Sequence, residues 1–442
     1  MTTRYLRSTD GSDSDDGSTW ALAKAKLASA SGIGSVDAAG DIIYISQSHA
    51  ETTSSAFTYT GAGTVSNPQR LLCGNDAAEP PTALATGAVV ECTSTSGTSA
   101  LNGSFYAYGI TWRYAAVMQF GAGNANCFQF FDNCTFDCTG AGSSGHFDSA
   151  QDNDSTRVVM NNCSFKFANS ANYIQLGQNF EMRGGTILSG TSTPNPLFKM
   201  PTDRTMTSAI IDGVDFSNFA STLVLFSGAG VPAARTIIRN CKLPSSWSGT
   251  LTSATPPIGQ RFEMYNCSAS GTNYAVWIED YCGTVRHETT IIKTGGASNG
   301  TTGISFKMTT TANTTYPGNP MRSQDMVIWN ETTGSSLTAT IDIVHDSVTN
   351  LTDGEVWIEL EYLGTSGGPV ATFITDAKTD VLASAADQAS SSVTWTTTGL
   401  TNPNKQKLNV SFTPQLKGLI MARVVMSKAS KTIYFDPVLQ VA

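Results

Sequence analysis

The sequence predicts an all-β protein, a right-handed parallel β-helix with a short N-terminal capping helix and a C-terminal antiparallel β-sandwich. Three observations carry that expectation. A short phrase recurs between Tyr108 and Cys267, the last ninety residues or so alternate in a different rhythm, and the composition is rich in turn formers. The clearest copy of the phrase is Phe131-Asp132-Asn133-Cys134-Thr135-Phe136; Asn161-Asn162-Cys163-Ser164-Phe165, Arg239-Asn240-Cys241-Lys242-Leu243 and Tyr265-Asn266-Cys267-Ser268 repeat it. Gly takes the Cys place in Arg183-Gly184-Gly185-Thr186-Ile187, Asp212-Gly213-Val214 and Tyr108-Gly109-Ile110-Thr111-Trp112. The centres at 109, 134, 163, 185, 213, 241 and 267 are 22 to 29 residues apart by subtraction, the length of one solenoid coil. Equivalent positions of stacked coils lie about 4.8 Å apart, so a small Cys or Gly fits a tight corner and Asn side chains can pair up the stack. A sandwich with irregularly spaced strands is the rival arrangement; the recurrent Asn-Cys favours the solenoid, whose coils are stable only as a column.

Along the chain, Thr2 to Arg7 reads as a strand, followed by the acidic turn Asp10-Gly11-Ser12-Asp13-Ser14-Asp15-Asp16-Gly17. Its carboxylates have the look of a calcium loop, but the Gly and closing Glu of an EF-hand are out of register, so a solvated turn is expected. Ser18 or Thr19 is placed to cap an amphipathic helix over Trp20 to Ala28, which would plug the open end of the column. Gly40 to Ser46 gives the next strand, and Ala77-Ala78-Glu79-Pro80-Pro81-Thr82 an excursion, since a Pro doublet cannot sit in a central strand. Regular coils run to about Ile292 and a weaker set through Gly303 to Met308 and Met326 to Trp329 reaches Ile343. The expected domains are therefore a cap over 1–50, the β-helix over 51–350 and the sandwich over 351–442. In the last, Glu355 to Tyr362 alternates strictly, and Val370 to Ile374, Val393 to Trp395, Leu408 to Phe412, Leu419 to Met426 and Thr432 to Phe435 complete the strands, with turn signals roughly every ten residues.

The words Tyr5-Leu6-Arg7-Ser8-Thr9-Asp10-Gly11-Ser12-Asp13 and Asp16-Gly17-Ser18-Thr19-Trp20-Ala21 resemble the opening of pectate-lyase-like β-helix proteins encoded by tailed bacteriophages. Val356-Trp357-Ile358-Glu359-Leu360-Glu361-Tyr362 and the ending at Pro437 look like the C-terminal domain of phage virion proteins of the capsid-stabilising kind. The resemblance touches both ends of the chain, through structural rather than catalytic words. It implies a virion protein: a homotrimer that decorates or cements the capsid, bound to the major capsid protein at a three-fold site.

Composition bounds the function from outside. The net charge of −9 leaves no basic stripe for nucleic acid, and the partner expected is protein or a neutral glycan. The nine cysteines are spread singly with no Cys-x-x-Cys, which fits buried free thiols made in a reducing cytoplasm. No basic-then-apolar leader opens the chain and no apolar run reaches about 18 residues, so neither a signal peptide nor a membrane span is expected. The four His have no metal-ligand spacing, and no nucleophile elbow or phosphate loop occurs; no catalytic residue, cofactor site or metal site is assigned. Polar clusters worth placing are Gly145-His146-Phe147-Asp148 with Asp152 and Asp154, and Glu279-Asp280 with Arg286-His287-Glu288. As a solvated loop and an exposed ion-pair strand they need do nothing; as paired carboxylates they would suit glycan cleavage.

Three functions are ordered by these facts: a capsid decoration protein, then a tail spike binding or cleaving a host surface glycan, then a free polysaccharide lyase or hydrolase. A cap beginning within the first twenty residues leaves no N-terminal tail anchor, which counts against the second; the missing export signal counts against the third. Trp247, Trp277, Trp357 and Trp395 are the aromatic candidates for docking. Deleting residues 354 to 442 is expected to leave a folded column with altered trimerisation or docking.

Overall fold

The computed structural model describes the chain except residues 28–29, 122–125, 139–144, 150–155, 178, 190–193, 201–207, 228–234, 289, 295–304, 316–317, 332, 353, 365–384, 388–393, 415–416, 437–439 and 442. Two compact units divide it, Met1–Asn273 and Tyr274–Ala442.

In the first unit, seven successive coils bend at a residue of positive φ: Gly109 (72°), Asn133 (50°), Asn162 (49°), Gly184 (59°), Gly213 (69°), Asn240 (55°) and Asn266 (50°). Left-handed backbone is cheap for Gly and tolerable for Asn. The corner residue is thus the Asn, one place before the expected Cys. The Cys that follows points inward: Cys134, Cys163, Cys241 and Cys267 are at most 1% exposed. The amide of Asn162 donates to Arg183 O of the next coil (2.8 Å), and Thr186 N donates to Cys163 O (3.2 Å), so the backbone stays paired through the bend. The side-chain ladder is present too, Asn266 Nδ2 donating to Asn240 Oδ1 at 2.9 Å.

Either side of the corner run strands of two parallel sheets, and a third sheet completes the coil. The first sheet stacks Phe105–Tyr108, Phe128–Asp132, Arg157–Asn161, Asn179–Arg183, Ser208–Asp212, Arg235–Arg239 and Arg261–Ala269. It begins further up with Thr3–Leu6, Ile42–Ser46 and Gln69–Gly74. The second sheet holds Ile110–Tyr114, Thr135–Cys138, Ser164–Phe167 and Thr186–Ser189. The third holds Val117–Phe120, His146–Ser149, Ile174–Gln175 and Phe198–Lys199. Their inward columns form one core: Ala107, Phe131, Met160, Met182, Ile211, Ile238 and Met264 from the first sheet, Trp112, Phe136, Phe165 and Ile187 from the second, and Met118, Phe147, Ile174 and Phe198 from the third, all at most 1% exposed. Phe136 packs edge-on to Phe131 (5.2 Å) and Phe147 (5.5 Å) and stacks on Phe165 (5.1 Å).

The capping helix is not present. Thr19 does cap a turn, accepting from Leu22 N at 3.2 Å, but the turn is a 3-10 turn over Trp20–Leu22 that ends at Ala23 in extended backbone. The backbone groups a helix would need are taken by the sheet: Lys24 N donates to Tyr5 O (3.1 Å) and Arg7 N to Lys24 O (2.9 Å). Burial of Ala23 and Leu27 in this extended stretch, both 0% exposed, outweighs helical propensity. The Pro-bearing excursion packs on it, Trp20 Nε1 donating to Ala78 O at 3.1 Å. The acidic turn spends its carboxylates locally, Asp13 on Lys26 N and Asp16 on Ser18 N.

The expected coils beyond 269 are a correction as well. Strands Thr272–Asp280, Gly283–Glu288 and Ser305–Thr310 pair antiparallel, so the parallel register stops well before 350. The second unit is an antiparallel sandwich. One sheet joins those strands to Thr432–Phe435, Leu337–Asp346 and Pro403–Phe412. The other centres on Gly418–Met426, flanked by Val356–Gly364 on one side and by Met321–Arg322 and Met326–Asn330 on the other. The expected strand Val370 to Ile374, Val393, Gly303 with Ile304, and Pro437 lie outside the described residues.

Candidate functional site

Alternation that sends Phe and Met inward sends charge outward, and stacking then sets charge against charge from coil to coil. On the first sheet, Glu181 accepts from Arg157 (2.9 Å) and Arg183 (2.6 Å), and Asp212 from Arg239 (2.8 Å). Glu263 is held most closely: Arg235 grips it with two nitrogens (2.8 and 2.6 Å), Arg261 adds a third contact (2.9 Å) and the Tyr265 hydroxyl donates to it (2.5 Å). On the second sheet Arg113 lies between Glu91 (3.7 Å) and Asp137 (3.3 Å), and Lys242 meets Asp215 (3.3 Å). Burial alone would raise the Glu263 carboxyl, but Arg235, Tyr265 and Arg261 outweigh it and hold it below the usual range. Glu181 is lowered in the same balance, burial against Arg157 and Arg183.

The outward side of the third sheet differs. Gln119, Asp148, Gln175 and Lys199 stand in register on successive coils. Beside them the His146 ring stacks on Tyr173 (4.4 Å between centroids, 18° between planes), and Lys199 Nζ lies 4.4 Å from the Tyr173 ring. This polar and aromatic column contains Asp148, which is buried at 2% exposure; the first sheet has another on its outward side, where Tyr106 lies 5.5 Å from Phe130 and donates to Asp132, and Arg157 lies over Phe128. Asp152 and Asp154 lie outside the described residues.

The second polar cluster falls in the second unit on a hairpin, where Glu279 is opposite Thr284. Glu288 lies four residues further along that strand, a backbone separation of about 14 Å at about 3.4 Å per residue, wider than the spacing of about 5 to 9.5 Å that paired glycosidase carboxylates need. Each acid has local work: Asp280 Oδ1 accepts from Cys282 N and Gly283 N in the turn, Glu279 from Trp277 Nε1 and Glu288 from Thr290 N. Of the aromatic candidates, Trp247, Trp357 and Trp395 are buried and Trp277 lies under Arg286 (5.8 Å). Sequence reading missed Trp329, which is 51% exposed beside Val327 at 53% on the strand Met326–Asn330. Alternation alone cannot tell the outer face from the inner; the identity of the neighbouring strand decides it.

No family model and no curated protein sequence matches the chain. Among solved structures it is similar to the enzymatically active domain of tailspike protein 4 of bacteriophage CBA120, at 11% identity over 91% of this chain and 64% of that one, with a TM-score of 0.30. It is also similar to ORF18 of Geobacillus virus E2, at 12% identity over 63% of this chain and 66% of that one, again with a TM-score of 0.30. The chain spans just under two thirds of each of them. A superposition at that level fixes neither a shared activity nor a shared site. No helix among the described residues is long and apolar enough to cross a membrane.

Proposed function

We propose that the protein is a structural component of a bacteriophage virion, a trimeric decoration protein whose coils form a passive, rigid body on the capsid surface. The phage assignment comes from the resemblance of the Tyr5 to Asp13 and Val356 to Tyr362 words. The observation that carries the structural role is the clamped ladder of carboxylates. A glycan-cleaving general acid needs a carboxyl held protonated near neutral pH, whereas Glu181 and Glu263 are pulled the other way by arginines of their own and adjacent coils. Such pairing stiffens neighbouring coils against each other. Contacts offered only by the assembled shell would then stabilise it by mass action. The exposed Val327 and Trp329 are the described apolar pair best placed for self-association or docking.

A second reading, glycan binding as in a tail spike, is favoured by the His146, Tyr173 and Lys199 column. One experiment separates the two. The purified protein is mixed with purified capsids of a phage that encodes it and, in parallel, with a panel of bacterial surface polysaccharides; sedimentation reports binding and reducing ends report cleavage. Saturable binding to shells without cleavage supports decoration. Glycan binding or cleavage with no shell binding replaces it with the spike reading, and directs substitution to His146 and Tyr173.

A further inference from the structure

The second unit contains a cleft of about 340 Å³, within the range of small-ligand sites. Its walls follow from strand order. Thr432–Phe435 lies between Ser305–Thr310 and Leu337–Asp346, with Tyr434 opposite Lys307 on one side and Val344 on the other. Lys307 and Tyr434 therefore share a face, and the turn before Thr432 brings Lys431 to the same cleft. Lys307 Nζ lies 5.7 Å from the Tyr434 ring. Among the described residues neither Lys307 nor Lys431 has a carboxylate within ion-pair distance, whereas Lys242, Lys417 and Lys428 each have one. Lys431 is felt inside the unit: burial first, then its charge, depresses the buried His345.

The remaining wall has two other chemistries. Asp346 uses Oδ1 to accept from Asn402 N at 2.6 Å, and a carboxylate has further lone pairs to accept a hydroxyl. Leu400, packed against the cluster of Ile291, Val344, Trp395 and Tyr434, gives an apolar side. We propose that this cleft binds a uronic acid, its carboxylate between Lys307 and Lys431, a ring hydroxyl on Asp346 and its apolar ring face on Leu400 and Tyr434. A phosphate dianion fits less well, because Asp346 repels it, and a metal cation is opposed by both lysines. Neutral sugars would leave the two ammonium groups unpaired. The site rests on this unit alone and stands whichever virion role is correct.

The test uses the full chain. Binding of D-glucuronate, D-galacturonate, D-glucose and inorganic phosphate is followed by saturation-transfer NMR and by titration at low salt, with an oligogalacturonide beside its monomer to assign the source as polymer or free acid. The expected result is binding of at least one uronate, no detectable glucose binding, and at least a tenfold weakening in Lys307→Gln and in Lys431→Gln, with Lys242→Gln unchanged. Leu400→Trp, which fills the cleft while keeping both charges, is expected to abolish binding. Lack of binding by both uronates, glucose binding as tight as uronate, phosphate binding tighter than uronate, or uronate binding unaffected by both lysine variants would each overturn the proposal.

Discussion

At the residue scale, the Asn-Cys pair divides its work: Asn turns the chain and Cys fills the corner from inside. Asn162 tests the first half cleanly, because its side chain has no hydrogen bond among the described residues and its φ is 49°. Asn162→Val, a β-branched residue forced into left-handed backbone, is expected to cost about 1–2 kcal/mol, and Asn162→Gly a few tenths at most; urea midpoints at constant m-value report both. The Cys half was legible as small buried thiols, and all nine are buried and free. Burial pushes the Cys134 and Cys138 thiols up to about 12, which keeps their reactive thiolate form scarce at neutral pH, whereas the contact with Cys241 lowers Cys267; what shields all nine alike is their burial from reagent. Ellman's reagent is expected to find essentially no fast thiol in the folded chain and nine after denaturation. A fast-reacting thiol from any corner Cys in the native protein would contradict this packing. What sequence misplaced by one residue was which of the pair bends, because both Asn and Cys recur and only φ distinguishes them.

At the element scale, the repeat revealed that coils stack but not how their outer faces are used. Glu263 and Arg235 are close only because strands 235–239 and 261–269 pair residue for residue. The same stacking concentrates rings inside: Phe136, 0% exposed and touching four other Phe rings, is expected to cost about 3–5 kcal/mol as Ala. The ladder has a pH signature. Glu263 is lowered in the folded state from its ordinary 4.5, so its contribution is fully present above that value and is lost as pH falls through the lower folded value. Stability of the first unit is expected to decline on acidification below about pH 4.5, and Glu263→Gln to flatten part of that decline while lowering stability at pH 7. An unchanged acid limb in the variant would remove Glu263 from it. The capping helix failed at this scale for a related reason: Ala, Leu and Lys favour a helix locally, but the edge of the first sheet offers Lys24 strand partners that local propensity cannot anticipate.

At the scale of the whole molecule, the sequence pattern placed the change of architecture near 350, and the pairing places it near 270. The cause is that β-branched and aromatic runs such as Thr284 to Arg286 or Met326 to Trp329 read alike in parallel coils and antiparallel sheets; partner direction is a long-range property. The candidate cleft was illegible for the same reason, since Lys307 and Lys431 are far apart in the chain and meet only through Thr432–Phe435. This division reverses the expectation for a truncation at 354. Strand Ser305–Thr310 relies on Thr432–Phe435, Met326–Asn330 on Gly418–Met426, and Leu337–Asp346 on Pro403–Phe412. A chain ending at residue 353 would keep the first member of each pair and lose the second, exposing Met308, Ile341 and Ile343, now at most 1% exposed, along open strand edges that template aggregation. Ending the chain at 273 instead keeps every described pair of the three parallel sheets in the first unit. Size-exclusion chromatography and limited proteolysis of both are expected to give aggregation, or rapid loss of the segment after 273, for the longer piece and a protease-resistant column for the shorter. A monodisperse 1–353 as resistant as the full chain would mean that strands 305–310 to 337–346 belong to the column after all.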